Sequence, residues 1–467
     1  MRRILTPTML LIAFAIVGLV RQPVSRGGAI DNLCDLAGLA ISENAATAKT
    51  AIVQLRSHGP EGLRALLSVH AELVARHQGR PAALVATGSG EVADPNWQRL
   101  QTALDQVSGQ RDCHASRLFW YTDFEEAKAA AQREHKPILS LRLLGKLTDE
   151  YSCANSRFFR TTLYANDAVG KELRDRFILH WKSVRPVPKV TIDFGDGRKL
   201  ERTLTGNSIH YVLDSDGRVI DALPGLYGPA AFLRELDRAE KIARRSANLA
   251  PAERDQLLAA FHAGRAAAIQ TEWQADLAKL GMQVAAANTD QPANQTSSTQ
   301  ASYAAPSAAK TGTVAPSKCI TKGPIVVAVT PQTLEAATTE QVWNRIAALH
   351  IHDSALDAGS IALLASQHPT AAAAAPVAIS KFIVENPLLR MVNAFQRSIA
   401  LDTVRNEYLL HRQIHKWLAA APAANLDRFN ERVYAELFLT PSSDPWLGLM
   451  PADTYTALEN NGVSKSK

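Results

Sequence analysis

The stretch PILSLRLLGKLTDEYSCANS, Pro137 to Ser156, decides how the middle of this chain reads. Its first half, ILSLRLL, is a short apolar run of the kind that fills a buried strand. Its second half is a loop that ends on Cys153, where a helix is expected to begin. Upstream, LFWYT (118–122) is strand-like. Thr122 then reads as a helix N-cap, with Glu125 three residues later completing a capping box. The helix DFEEAKAAAQREH (123–135) is expected to stop before Lys136-Pro137.

Downstream the alternation continues. TLYANDAVGKELRDRF (162–177) is helical and FILHWKSV (177–184) is a strand. Pro186 and Pro188 prevent simple continuation of that strand. VTIDFGDGRKLERTLTG (190–206) reads as a hairpin around Gly195-Asp196-Gly197. IHYVLDSDGRVIDALPG (209–225) reads as another, turning at Asp216-Gly217. Pro229 opens a closing helix, PAAFLRELDRAEKIARR. An α/β sheet with helices on both faces would bury these strands.

Residues from about Leu118 to Leu236 resemble the thioredoxin-like domains of bacterial exported proteins. The resemblance rests on WYTDFEEAKAAAQREHKPILSL, the loop cysteine, LYANDAVGKELRDRFILHW and YVLDSDGRVIDALPGLYGPAAFLREL, and covers about a quarter of the chain. It implies a helix and first core strand, then an active-site helix and second strand, then a hairpin and closing helix. Two departures stand out. Redox members carry Cys-x-x-Cys, whereas here the run is Cys153-Ala154-Asn155-Ser156. Redox members also place a cis-proline beside the thiol, where Ser208 stands here, and a cis bond before any other residue costs roughly 3 kcal/mol.

The resemblance implies a thiol at a helix N-terminus, where the dipole and free N–H groups stabilise a thiolate. Arg157 adds positive charge one turn on. Ser156 could hydrogen-bond the sulfur but cannot resolve a mixed disulfide. Cys153 and Ser156 are therefore the candidate site residues of a monothiol thiol-disulfide protein. The alternative is a non-catalytic interaction module in which Cys153 is a small core residue or a disulfide partner, with Cys113 the first choice to pair with it. A protein partner is expected under either reading, through a mixed disulfide at Cys153 under the first.

The 467 residues leave room for several domains. Residues 1–27 read as a signal-anchor or signal peptide and 28–112 as a helical region. Residues 113–248 form the thioredoxin-like domain and 249–287 a helical extension. Residues 288–318 read as a flexible linker and 319–467 as a helical C-terminal domain. The fold class is thus α/β in the middle with mainly helical flanks. Two long helical stretches precede the middle domain, broken at Gly59-Pro60. The linker is rich in Ser, Thr, Ala, Pro and Gln and cannot bury enough apolar surface to offset ordering.

At the N-terminus, Arg2 and Arg3 precede an uncharged run from Ile4 to Val20. No small-x-small cleavage site follows, which favours an uncleaved anchor and a periplasmic bulk. The net charge of +6 is dispersed over helical stretches, so a nucleic-acid partner is not expected. Cys34, Cys113, Cys153 and Cys319 have no metal-site spacing.

A third, different class of function would use the C-terminal histidines. His411 and His415, four apart on an expected helix, share a face and could bind a metal, with Glu407 one turn earlier as a third ligand. The metalloprotease pattern needs Glu after the first histidine, and Arg412 is there instead. His350, His352 and Asp353 alternate as on an extended segment and form a weaker metal candidate. Asp214-Ser215-Asp216-Gly217 opens like a calcium loop but lacks the later ligands, which favours a plain turn. No phosphate-binding glycine loop, nucleophile elbow or catalytic triad pattern is present, and no cofactor is expected.

Overall fold

The apolar runs of the middle region meet in one small mixed sheet because each is too short and too buried to be stable alone. The computed structural model describes residues 26–78, 94–282, 334–367 and 387–447. The Ile4–Val20 run, the 288–318 linker and Cys319 lie outside them. Among the described residues no helix is long and apolar enough to cross a membrane.

The four-stranded sheet runs in the order β2-β1-β5-β6, with β1 Ile138–Leu144, β2 Ile178–Arg185, β5 Ser208–Leu213 and β6 Val219–Pro224. β1 pairs in parallel with β2, Leu141 opposite Trp181, and antiparallel with β5, Leu141 opposite His210. β6 closes the far edge, Asp221 opposite Val212. Every residue of β1, β5 and β6 is buried. Between β2 and β5 the chain forms a separate hairpin, β3 Lys189–Asp193 and β4 Lys199–Thr203. No helix occurs in that connection.

One face of the sheet is covered by α8 (Ala154–Phe158), by a π-turn Phe159–Leu163 that continues it, and by α10 (Pro229–Ser246). There His210 sits among Phe159, Tyr164 and Phe232, accepting or donating a 2.7 Å bond to the Tyr164 hydroxyl. The other face is covered by α7 (Phe124–Glu134) and by a C-terminal segment, the helix Leu426–Arg432 with its π-turn Val433–Leu437. Tyr211 donates to Asn430 at 3.2 Å, Arg142 reaches Asp427 at 3.8 Å, and Tyr434 donates to the Asn207 carbonyl at 3.2 Å. The sheet core thus draws its apolar residues from both the middle and the C-terminal parts of the chain.

Three readings of local structure need correction. LFWYT forms no strand: Tyr121 makes an isolated bridge to His180, and Trp120 N–H bonds the Ser108 carbonyl instead. The cap of α7 is Asp123, not Thr122; its carboxylate accepts from the N–H groups of Glu125 and Glu126. The first helical stretch is also interrupted, with α1 (Arg26–Leu39) ending before Asn44 caps α2 (Ala45–Ser57). Gly59 then turns with φ +64° into α3 (Pro60–Val69), and α4 (Ala71–Gln78) follows. With α5 (Pro95–Ser108) and α6 (Cys113–Ser116), these helices bury a second apolar core.

Candidate functional site

Two buried polar centres stand out, one at Cys153 and one at the C-terminal histidines. Cys153 is the N-cap of α8, as its position after β1 implied. Its N–H bonds the Leu144 carbonyl at 3.3 Å, which tethers the loop to the strand end. The residue is completely buried within the sheet core. Asn155 donates to Ser208 Oγ at 2.6 Å, so the start of β5 is fastened to the Cys153 helix. All described peptide bonds are trans. Gly206 permits this approach, since a Cβ there would lie 2.6 Å from Asn155 Oδ1.

Ser156 Oγ is buried and makes no hydrogen bond, so it does not bond the sulfur. Ser152 Oγ, Asn155 Oδ1 and Thr205 Oγ1 are likewise buried without hydrogen-bond partners. Arg157 donates to the Ser152 carbonyl at 2.7 Å and to Thr203 Oγ1 at 2.6 Å. Its charge is coupled to Cys153, although burial dominates and lowers its pKa. Tyr434 lies within electrostatic reach of the same sulfur; burial first, and then Cys153, push its hydroxyl well above the usual range.

No disulfide joins Cys34, Cys113 or Cys153 among the described residues. Cys113 does not pair with Cys153; it sits in the core of the N-terminal helices, where burial pushes its thiol up.

The second centre forms where β6, α11 (Pro251–Lys279) and the C-terminal helix converge. That helix runs Pro387–Arg405, passes through a π-turn Asn406–His411, and continues as Arg412–Ala420. A π-turn re-aims side chains by one extra residue per turn and recurs at functional sites. Here it begins at Asn406, which donates to the Leu226 carbonyl at 2.7 Å just past β6. Gly225, at φ +78°, leaves room for that contact, since a Cβ would meet Asn406 at 2.6 Å.

His411 and His415 then stack with ring centroids 4.1 Å apart, as their spacing implied. Their carboxylate partner is Asp221 of β6, not Glu407. His411 Nε2 lies 3.1 Å and His415 Nδ1 3.8 Å from Asp221 Oδ1. Glu407 turns instead to Arg234 at 3.7 Å and Arg265 at 3.8 Å. A third imidazole, His262 of α11, places Nδ1 2.8 Å from His415 Nδ1. All four side chains are buried.

Burial alone would raise the Asp221 carboxyl, but His415 and His411 hold it well below the carboxylate range. Burial pushes His262 and His415 down, which keeps them neutral. Burial also opposes the charge on His411, yet Asp221 raises it overall. Glu407 is pushed up to about 7, by burial and by Glu235 beside it.

Sequence reasoning missed Asp221 and His262. Both carried a signal: Asp221 is the lone acid in the apolar run VIDALP, and His262 falls on the buried stripe Leu258, Ala266, Ile269, Trp273 of α11. The other metal candidates are engaged differently. Residues Ile351–Ser354 form a 3-10 turn rather than an extended segment. His352 Nε2 lies 3.2 Å and His350 Nδ1 4.0 Å from Asp353, but His350 also bonds Asp276 at 2.5 Å and Asp353 also pairs with Arg234 at 3.2 Å. Asp214 accepts from the N–H groups of Asp216 and Arg218, a hairpin turn.

An open cleft of about 1520 Å³ lies between α2–α4 and α7, with exposed Arg64 and Arg133 on its walls. Neither Cys153 nor the histidine cluster lines it. No family model matches the chain, and no similar curated protein or solved structure is found.

Proposed function

We propose that residues 118–236 are a thioredoxin-like domain that serves as a non-catalytic interaction module. The fold reading is supported by β1 and β2 in parallel, the antiparallel β5–β6 hairpin and the closing α10, all in one sheet. The observation that carries the functional reading is the complete burial of Cys153 beneath a docked C-terminal segment. A thiolate that exchanges disulfides must be reached in line by a partner sulfur, and a sealed thiol is not. The Tyr434–Asn207 bond occupies the backbone beside Ser208, where a redox member would receive its substrate. The open cleft beside α7 is then the surface left for a protein partner.

The monothiol reading survives in one form, favoured by the unsatisfied polar atoms of Ser152, Asn155 and Ser156, next to Cys153 in the chain, and of Thr205, whose carbonyl accepts from Ala154 N–H. Release of the C-terminal segment would present Cys153 to a partner. Export, with an anchor at Ile4–Val20, completes the proposal on the sequence alone.

The deciding experiment is affinity capture from the native host under thiol-quenching conditions. The interaction reading expects the same partners with wild type and Cys153→Ala, and fewer with Arg64→Glu/Arg133→Glu. Partners that require Cys153 and are released by reductant would overturn it in favour of the monothiol.

A further inference from the structure

The four buried groups Asp221, His262, His411 and His415 come from three separate elements, and the protein alone does not satisfy them. His411 Nδ1 and His415 Nε2, the ring nitrogens that do not face Asp221, are buried without a hydrogen-bond partner among the described residues. Two Nδ1 atoms face each other at 2.8 Å between His262 and His415, where only one proton fits between two lone pairs. Purely hydrogen-bonded buried networks are stable when every member is satisfied, and this one is not. A cation between Asp221, His411 and His415 would accept a lone pair from each and neutralise the carboxylate.

The distances suit a tetrahedron. Bonds of about 2.0–2.1 Å to nitrogen and oxygen imply ligand–ligand edges of about 3.3–3.4 Å. The edges found are 3.1 Å from Asp221 to His411 and 3.8 Å from Asp221 to His415. The donor atoms of Asp221, His411 and His415 all lie within 4.8 Å of one another, so closing on an ion needs only small side-chain shifts. His262 stands outside that group, 2.8 Å from His415 and hydrogen-bonded to the backbone of Ile220, where it can steady a ligand ring.

We infer that Asp221, His411 and His415 form a site for a divalent transition-metal ion, zinc by its donor set, with His262 as an outer partner of His415. Imidazole with one carboxylate suits zinc and disfavours calcium or magnesium, which take oxygen ligands. Three protein ligands leave the fourth tetrahedral position to water. Its ion clips the C-terminal helix to the edge strand of the sheet.

The test uses the full chain, untagged, stripped with chelator and titrated with Co²⁺. The expected result is one equivalent bound with the intense visible bands of tetrahedral cobalt, displaced by Zn²⁺. The apparent affinity should fall more than about 100-fold in His415→Gln and His411→Gln, since losing a mere outer-shell contact costs about 10–100-fold. His352→Ala, on the surface, should bind as wild type. Absence of the bands in folded wild type, or bands undiminished in both glutamine variants, would overturn the site. Should those variants fail to fold, thermal unfolding of wild type with and without Zn²⁺ decides. A rise in Tm at one equivalent supports the site, and no rise overturns it.

Discussion

His262 Nδ1 and His415 Nδ1 lie 2.8 Å apart although 153 residues separate them in sequence. This contact, with Asp221 beside it, joins α11, the C-terminal helix and the sheet edge through polar atoms in a dry setting. Removing one partner from such a cluster leaves the others buried and uncompensated, which costs about 3–5 kcal/mol. Asp221→Ala should therefore lower the urea midpoint strongly with little change in slope. A loss below about 1 kcal/mol would mean that the carboxylate does not hold this junction.

The thiols should differ sharply in reactivity. Cys34 is exposed, whereas Cys113 and Cys153 are buried. In a Cys319→Ser background, a water-soluble disulfide reagent should label Cys34 within the mixing time and the other two only on unfolding. Tyr434→Ala, which removes the bond to Asn207, should speed labelling of Cys153 and leave Cys113 unchanged. Equal acceleration of both would point to general destabilisation rather than a local cover.

The middle and C-terminal parts share one core, so a cut between them should not part them. A protease site inserted near residue 300 should give two fragments that co-elute until denaturant is added. Independent elution in native buffer would show that the Tyr211–Asn430 and Tyr434–Asn207 bonds and their apolar surroundings are too weak to hold the segment.

Asp276 and His350 give a pH signature. Burial alone would raise Asp276, but bonds from His350, Lys279 and Tyr408 hold it at about 2. The His350 ring is raised above 6.5 first by its bond to Asp276, against burial. A depressed carboxyl stabilises the fold above its unfolded value near 3.8, and that contribution is lost as pH falls toward 2. A raised histidine stabilises fully below 6.5 and loses its contribution as pH rises through its folded value. The pair should thus stabilise most between about pH 4 and 6.5, by roughly 1 kcal/mol after solvent screening. Asp276→Asn should flatten this part of the Tm profile; an unchanged profile would refute the assignment.

The sheet was legible where short apolar runs met turn residues: ILSLRLL, FILHWKSV and the hairpin at Asp216-Gly217 all form as read. LFWYT was misread because a strand needs a neighbour along its length, and only Tyr121 meets β2 before Asp123 starts the next helix. The Asp123 cap was a choice between adjacent capping residues that only backbone geometry settles. His411 and His415 were visible through their spacing. Asp221 and His262 were not assigned to them, because no local pattern encodes a meeting across 153 or more residues. The switch to a π-turn at Asn406 has no sequence signature either, and it depends on the close approach to Gly225.

The sheet face that holds Tyr211 and Arg142 is closed by residues 426–437, far beyond β6 in the chain. During synthesis only α7 can cover that face while roughly 200 further residues are made, about 10–40 s at about 5–20 residues per second. The middle region therefore cannot reach its native packing on the ribosome as it emerges. It must wait, with apolar surface open to chaperones or to misassociation, until the final helices arrive and complete it. A ribosome stalled shortly after α10 should present a nascent chain sensitive to protease across the sheet, and release of the whole chain should restore protection.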